Sequence, residues 1–261
     1  MHMPGFISRL LDRGAAKAGI RGFTFASLAD GGEWARAASG QVIRNPSPAP
    51  PWIVVAHTLN EILGVGWPGR LWEVEILEEA PEQPLNGAQY TRAVAVRVRH
   101  EVPVATLFPN GEDVLRVIER AASLQASDVP ELAFHASDEA AEAYSRAWNA
   151  WLAKVDPGSI HHGSDHRDTL AVFAGRKSSP VGIAFTVLYE VLGRRAREIA
   201  GDAAFEEDEE GERWFTGPWA DASRALLCAV MAFGAPELTT DADRRLLLRA
   251  WNETNGARDL S

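Results

Sequence analysis

The sequence predicts an α+β protein: a small antiparallel sheet with flanking helices over residues 1–126, and a helical subdomain over residues 127–261. Three observations predict it. Residues 71–77 and 91–102 alternate apolar and charged side chains with a period of two, the pattern of a strand buried on one face. Beyond residue 110, apolar residues recur at spacings of three and four, the stripe of a helix that packs on one side. The hydrophobic share of 46% against 24% charged is ordinary for a chain that builds a core.

Residues 5–18 read as a short amphipathic helix, with Phe6, Ile7, Leu10 and Leu11 on one face and Gly19 as its stop. A strand over 22–25 and a helical piece over 33–38 follow. Residues 45–51 hold four prolines, which excludes a helix interior or a central strand, so an extended, exposed connector is expected there. Residues 52–55 read as a buried strand and 58–63 as a short helix. In 71–77, Trp72, Val74 and Ile76 share one face and Glu73 and Glu75 the other. In 91–102, Val94, Val96 and Val98 oppose Arg97 and Arg99. Pairing these two strands antiparallel sets the two glutamates near the two arginines, which matters more for register than for stability. After Pro103, residues 104–108 read as a short edge strand. Asn110 suits the N-cap of a helix with Val114, Val117, Ile118 and Ala121 as its stripe. Residues 127–130 look like a connection, hence the soft boundary there.

In the second half, Ser137 is placed to cap a helix running to about residue 154, with Tyr144, Trp148 and Trp151 on one face. Pro180 sits where a helix begins, followed by the stripe Val181, Ala184, Phe185, Leu188, Val191 and Leu192 and a stop at Gly201. Within it, Arg194 has Glu190 and Glu198 four residues away on either side, the spacing of helical ion pairs. A third helix spans 218–234. A fourth starts at Thr240, with Asp243 completing a capping box, and ends near 255. The five consecutive acids at 206–210 read as a solvated loop, with a docking patch for a basic partner as the sharper alternative.

The net charge of −10 argues against a duplex nucleic-acid face and against docking on an anionic membrane. Only three basic residues are lysines, Lys17, Lys154 and Lys177, so arginine carries most of the positive charge. The single cysteine, Cys228, lies in an apolar run and reads as a buried hydrophobe; it excludes an intrachain disulfide. The N-terminus shows no signal-peptide pattern, and no run approaches the ~20 apolar residues of a membrane span, so a cytoplasmic protein is expected.

Two stretches carry candidate chemistry. Residues 161–168 place three histidines and two aspartates together. His162, Asp165, His166 and Asp168 are the residue types that bind zinc, manganese or iron or act as acid and base, although the Glu of a His-Glu-x-x-His helix is absent. Just downstream, Arg176, Lys177, Ser178 and Ser179 precede the helix expected at Pro180. A helix start with cations and hydroxyls is a ready phosphate site, though no Walker loop is present. Together they suit metal-dependent phosphoester hydrolysis. Plain readings compete: a solvated polar loop and ordinary N-capping. Tryptophan is abundant, and Trp214 and Phe215, just after the acidic run, suit exposure to a partner. Because no known catalytic motif is present, the first reading is a binding or regulatory protein that recognises another protein through its helical half and needs no cofactor. The alternative is the hydrolase with a divalent metal.

Overall fold

The computed structural model describes residues 19–28, 31–47, 49–62, 64, 66–85, 87–155 and 179–256. The helix expected over 5–18 lies outside them. Five strands, β1 (Arg21–Ser27), β2 (Val42–Arg44), β3 (Ile53–Ala56), β4 (Gly69–Glu79) and β5 (Tyr90–Val102), form one antiparallel sheet. β4 pairs with β1 on one edge and β5 on the other. β5 carries both β2 and β3 on its far edge, and β3 meets β1 where Ala56 faces Phe23. Pairing therefore runs in a closed circuit, β1–β4–β5–β3. The junction requires glycine at position 22, where an added Cβ would lie 2.4 Å from the Ala56 carbonyl oxygen. Beside it the Thr24 hydroxyl donates to the Val54 carbonyl at 2.9 Å.

The period-two reading holds. Trp72, Val74, Ile76, Val96 and Val98 pack with Ile43 and Val55 in one apolar cluster. On the other face Glu75 receives Arg97 at 3.1 Å and Arg99 at 3.3 Å. The described prolines of the proline-rich segment, Pro46, Pro50 and Pro51, are exposed, as expected, but the segment leaves one sheet edge. Arg44 pairs with Ala95 and Ile53 with Ala93, so the intervening residues loop outward between neighbouring sites on β5. The Asn45 side-chain amide ties that loop to the Pro51 carbonyl at 2.7 Å.

The helices are α1 (Gly111–Ala122), α2 (Asp128–His135), α3 (Asp138–Val155), α4 (Ala184–Ala200), α5 (Gly217–Gly234), α6 (Asp241–Leu247) and α7 (Arg249–Gly256). α5 is buried nearly throughout, including Leu226, Leu227, Val230 and Met231, and every other helix packs against it. One apolar core runs from Ala56, Trp67 and Leu71 of the sheet region through each of α1 to α7. Ser137 caps α3 by accepting from the Ala140 N–H at 3.2 Å. Among the described residues no helix is long and apolar enough to cross a membrane.

Several elements differ from expectation, each for a packing reason. Residues Val104–Leu107 form a 3-10 turn rather than an edge strand, because Leu107 is drawn fully into the core. Asn110 does not cap α1 with its side chain. It takes the left-handed conformation (φ 45°, ψ 50°), and its amide donates to the Phe233 carbonyl at the end of α5, 2.8 Å away. Residues 128–130 open α2 instead of forming a connection. The buried Asp128 carboxylate accepts from Arg120 at 2.9 Å and from the Gln125 N–H at 2.6 Å, tying α2 to α1. α4 begins at Ala184, not Pro180, because Gly182 sits at φ +62° and interrupts the turn. Glu190 accepts from the Gly66 N–H at 3.0 Å and Glu198 takes Arg195 at 2.8 Å, instead of flanking Arg194. The fourth helix is two, broken at Leu248.

Two glycines separate backbone requirement from mere tolerance. A Cβ at Gly111 would lie 1.8 Å from the Ala105 carbonyl oxygen, whereas at Gly193 the nearest atom is 3.8 Å away. In urea unfolding, Gly111→Ala is expected to lose about 2 kcal/mol or more, and Gly193→Ala to gain roughly 0.5–1 kcal/mol from better helix propensity. Equal effects would contradict the packing described.

Candidate recognition site on the helical half

The residues marked by the sequence divide sharply. His162, Asp165, His166, Asp168, Arg176, Lys177 and Ser178 lie outside the described residues. Ser179 is described and is 4% exposed, with its hydroxyl accepting from the Val181 N–H at 3.3 Å. The helix start it was expected to serve is four residues further on, at Ile183 and Ala184, which are themselves buried. Among the described residues no group of three or more histidines, cysteines, aspartates or glutamates is placed to hold a metal ion.

The acidic run is not a plain loop. β6 (Phe205–Glu207) and β7 (Arg213–Phe215) form a hairpin, with Gly211 at φ +82° in its turn. Arg213 neutralises Glu207 at 2.5 Å and Asp202 at 3.1 Å, and the Thr216 hydroxyl donates to Glu206 at 2.9 Å. Alternation along β7 puts Trp214 and Phe215 on opposite faces. Phe215 is not the exposed anchor expected. It is half-buried, with its ring 5.4 Å from Phe205, 5.7 Å from Tyr189 and 6.4 Å from Trp219. Trp214 is half-buried as well. The sequence carried a hairpin signal, Asp208-Glu209-Glu210-Gly211 between apolar flanks, which the charge run masked.

A different surface gathers unsatisfied groups. α6 is capped by Thr240, which accepts from the Asp243 N–H at 3.1 Å. It is clasped to α3 by Arg146, whose Nη2 and Nε reach Asp243 Oδ1 at 2.5 and 3.2 Å. That guanidinium holds the Asp243 carboxyl below its usual range. Leu247 and Ala250 turn inward toward the core. The opposite sides of α6 and α7 form a groove of about 450 Å³, with Leu248 and Asn252 between Arg244, Arg245 and Arg249. Asp241 and Glu253 also line it. Arg244 and Arg245 are exposed, and among the described residues their side chains meet no acceptor; Arg249 comes only within 4.0 Å of Glu139. Several other arginines of this half are engaged. Arg195 donates to the Leu124 carbonyl at 2.6 Å, Arg224 pairs with Asp221, and Arg197 lies over the Phe205 ring.

The sequence reading missed this groove. Arginines at 244, 245 and 249 look no different from those at 194, 195 and 197. Tertiary contacts set Arg195 and Arg197 apart, while half-buried Arg194 likewise meets no acceptor among the described residues.

Cys228 is buried, and burial pushes its thiol up to about 12. It is therefore expected to resist iodoacetamide at pH 8 in the native protein and to react fully in guanidinium, as mass spectrometry would show. Asp243 contributes stability above the pKa of an unfolded aspartate, because its folded pKa is depressed. That contribution fades as pH falls through the folded value. Arg146→Ala should thus lower the melting temperature at pH 7, by a difference that shrinks on acidification. A gap that stays constant with pH would contradict the clasp. Compared with known proteins, the chain matches no family model, no curated protein and no solved structure.

Proposed function

We propose that this is a cytoplasmic binding or regulatory protein that recognises an acidic segment of another protein through its helical half. The contact surface is the α6–α7 groove. The observation that carries this reading is the pair of exposed arginines without acceptors among the described residues, Arg244 and Arg245, beside the weakly engaged Arg249 in a chain of net charge −10. Arginine is enriched at protein interfaces, where its planar fork binds carboxylates bidentately. Leu248 adds an apolar contact to the groove. On α2, which packs beside α7, Phe134 stands 83% exposed, an aromatic of the kind that anchors interfaces. The net negative charge repels an acidic partner at long range, so recognition rests on close contacts within a Debye length of about 8 Å at physiological salt.

A fluorescein-labelled peptide rich in aspartate and glutamate, with one aromatic residue, tests this by fluorescence anisotropy. Arg244→Glu with Arg245→Glu should weaken binding by about tenfold or more, from lost and reversed charge contacts. Trp214→Ala should leave it unchanged. Equal affinity for the wild type and the arginine variant, with the fold intact by circular dichroism, would remove the groove from the account.

A further inference from the structure

The charged outer face of the sheet holds a second arrangement, independent of the helical groove. Arg21 on β1, Glu75 on β4 and Arg97 on β5 stand in one row across three strands, and Glu73 and His100 stand side by side in the next. Between these rows the register slips. Glu73 faces His100 but Val74 faces Val98, leaving Arg99 as the extra residue of a bulge. A bulge re-aims its side chain, and here Arg99 reaches the same Glu75 oxygen, Oε2, as Arg97 does, at 3.3 and 3.1 Å. Two guanidiniums thus share one carboxylate oxygen through one N–H group each. Arg21 meets no acceptor among the described residues. Glu73 lies 3.4 Å from His100 and lines the same cleft as the arginines.

Arg21, Glu73, Arg97, Arg99 and His100 line a cleft of about 410 Å³, with the Ser39–Gly40 turn as one wall. That wall is pinned by the Gly40 N–H donating to the Val98 carbonyl at 2.8 Å and the Ser39 hydroxyl donating to the Arg99 carbonyl at 2.5 Å. Arg97 and Arg99 crowd one carboxylate oxygen, Arg21 meets no acceptor among the described residues, and most donors of the three guanidiniums are unused.

We propose that this cleft binds a small phosphorylated ligand, its phosphoryl group held by Arg21, Arg97 and Arg99. A phosphoryl group offers three acceptor oxygens in different directions to the unused donors of the three guanidiniums, which a planar carboxylate does less well. The cleft has room beside the phosphoryl group for an organic remainder.

Isothermal titration with inorganic phosphate and with glycerol 3-phosphate, at constant ionic strength, tests the assignment. Saturable binding is expected. Arg21→Ala with Arg99→Ala should weaken it about tenfold or more, from lost charge-assisted hydrogen bonds. Arg21→Ala alone, which removes no contact within the described structure, should shift it in the same direction. Arg44→Ala, whose side chain pairs with Glu78 elsewhere on the sheet, should leave binding unchanged. Tighter binding of the monoester identifies an organic phosphate as the ligand, and equal binding identifies the free ion. The proposal is overturned if neither compound binds, if the Arg21 and Arg99 variants bind like the wild type, or if Arg44→Ala weakens binding as much.

Discussion

From Ala225 to Gly234, α5 is apolar on every side, and such a helix has to be enclosed. Its leucines, valine and methionine at positions 226–231 have almost no exposure, and α1 to α4, α6 and α7 pack around it. Fully burying side chains of this size contributes about 1.5–3 kcal/mol each. The chain can realise that stabilisation only by wrapping. The two closing helices, α6 and α7, complete the enclosure from outside. Their inward positions, Leu247 and Ala250, serve the core, and their outward positions are left to arginines. The groove is thus a by-product of how α5 is covered, since the break at Leu248 lets two short helices follow its surface where one straight helix would not.

The sheet obeys a second constraint, closure. Strands paired in a circuit leave few free edges to manage. The close approach at Gly22 and the curvature of β4 and β5 are what closure demands. β5 is the longer partner and carries β2, β3 and β4 together, so a slip in its register turns into a bulge. The bulge at Arg99 concentrates positive charge on the outer face. Both charged surfaces therefore follow from backbone requirements elsewhere.

What was legible in the sequence is what local pattern determines. The alternation in β4 and β5 was readable, down to the pairing of Glu75 with Arg97, because side-chain period and register are coupled. The bounds of α5 and the Ser137 cap were readable from Pro218, Gly234 and the cap residue itself. The misread segments are those where a distant contact outweighs local preference. Leu107 enters the core and winds residues 104–107 into a turn. Asp128 is held by Arg120 and turns a Ser-Asp-Val-Pro stretch into a helix start. Asn110 spends its amide on Phe233 rather than on its own helix. The recognition groove was illegible for the same reason. Whether an arginine is engaged depends on partners such as Asp243, which lies 97 residues from Arg146.

The proposed recognition surface is the outward side of α6 and α7. Hydrogen–deuterium exchange on the whole protein, with and without a saturating acidic peptide, tests it most directly. The account predicts slowed exchange across residues 241–253, with the sheet strands unchanged. Protection confined to the sheet or the 205–215 hairpin, or no protection at all under saturating binding, would contradict it.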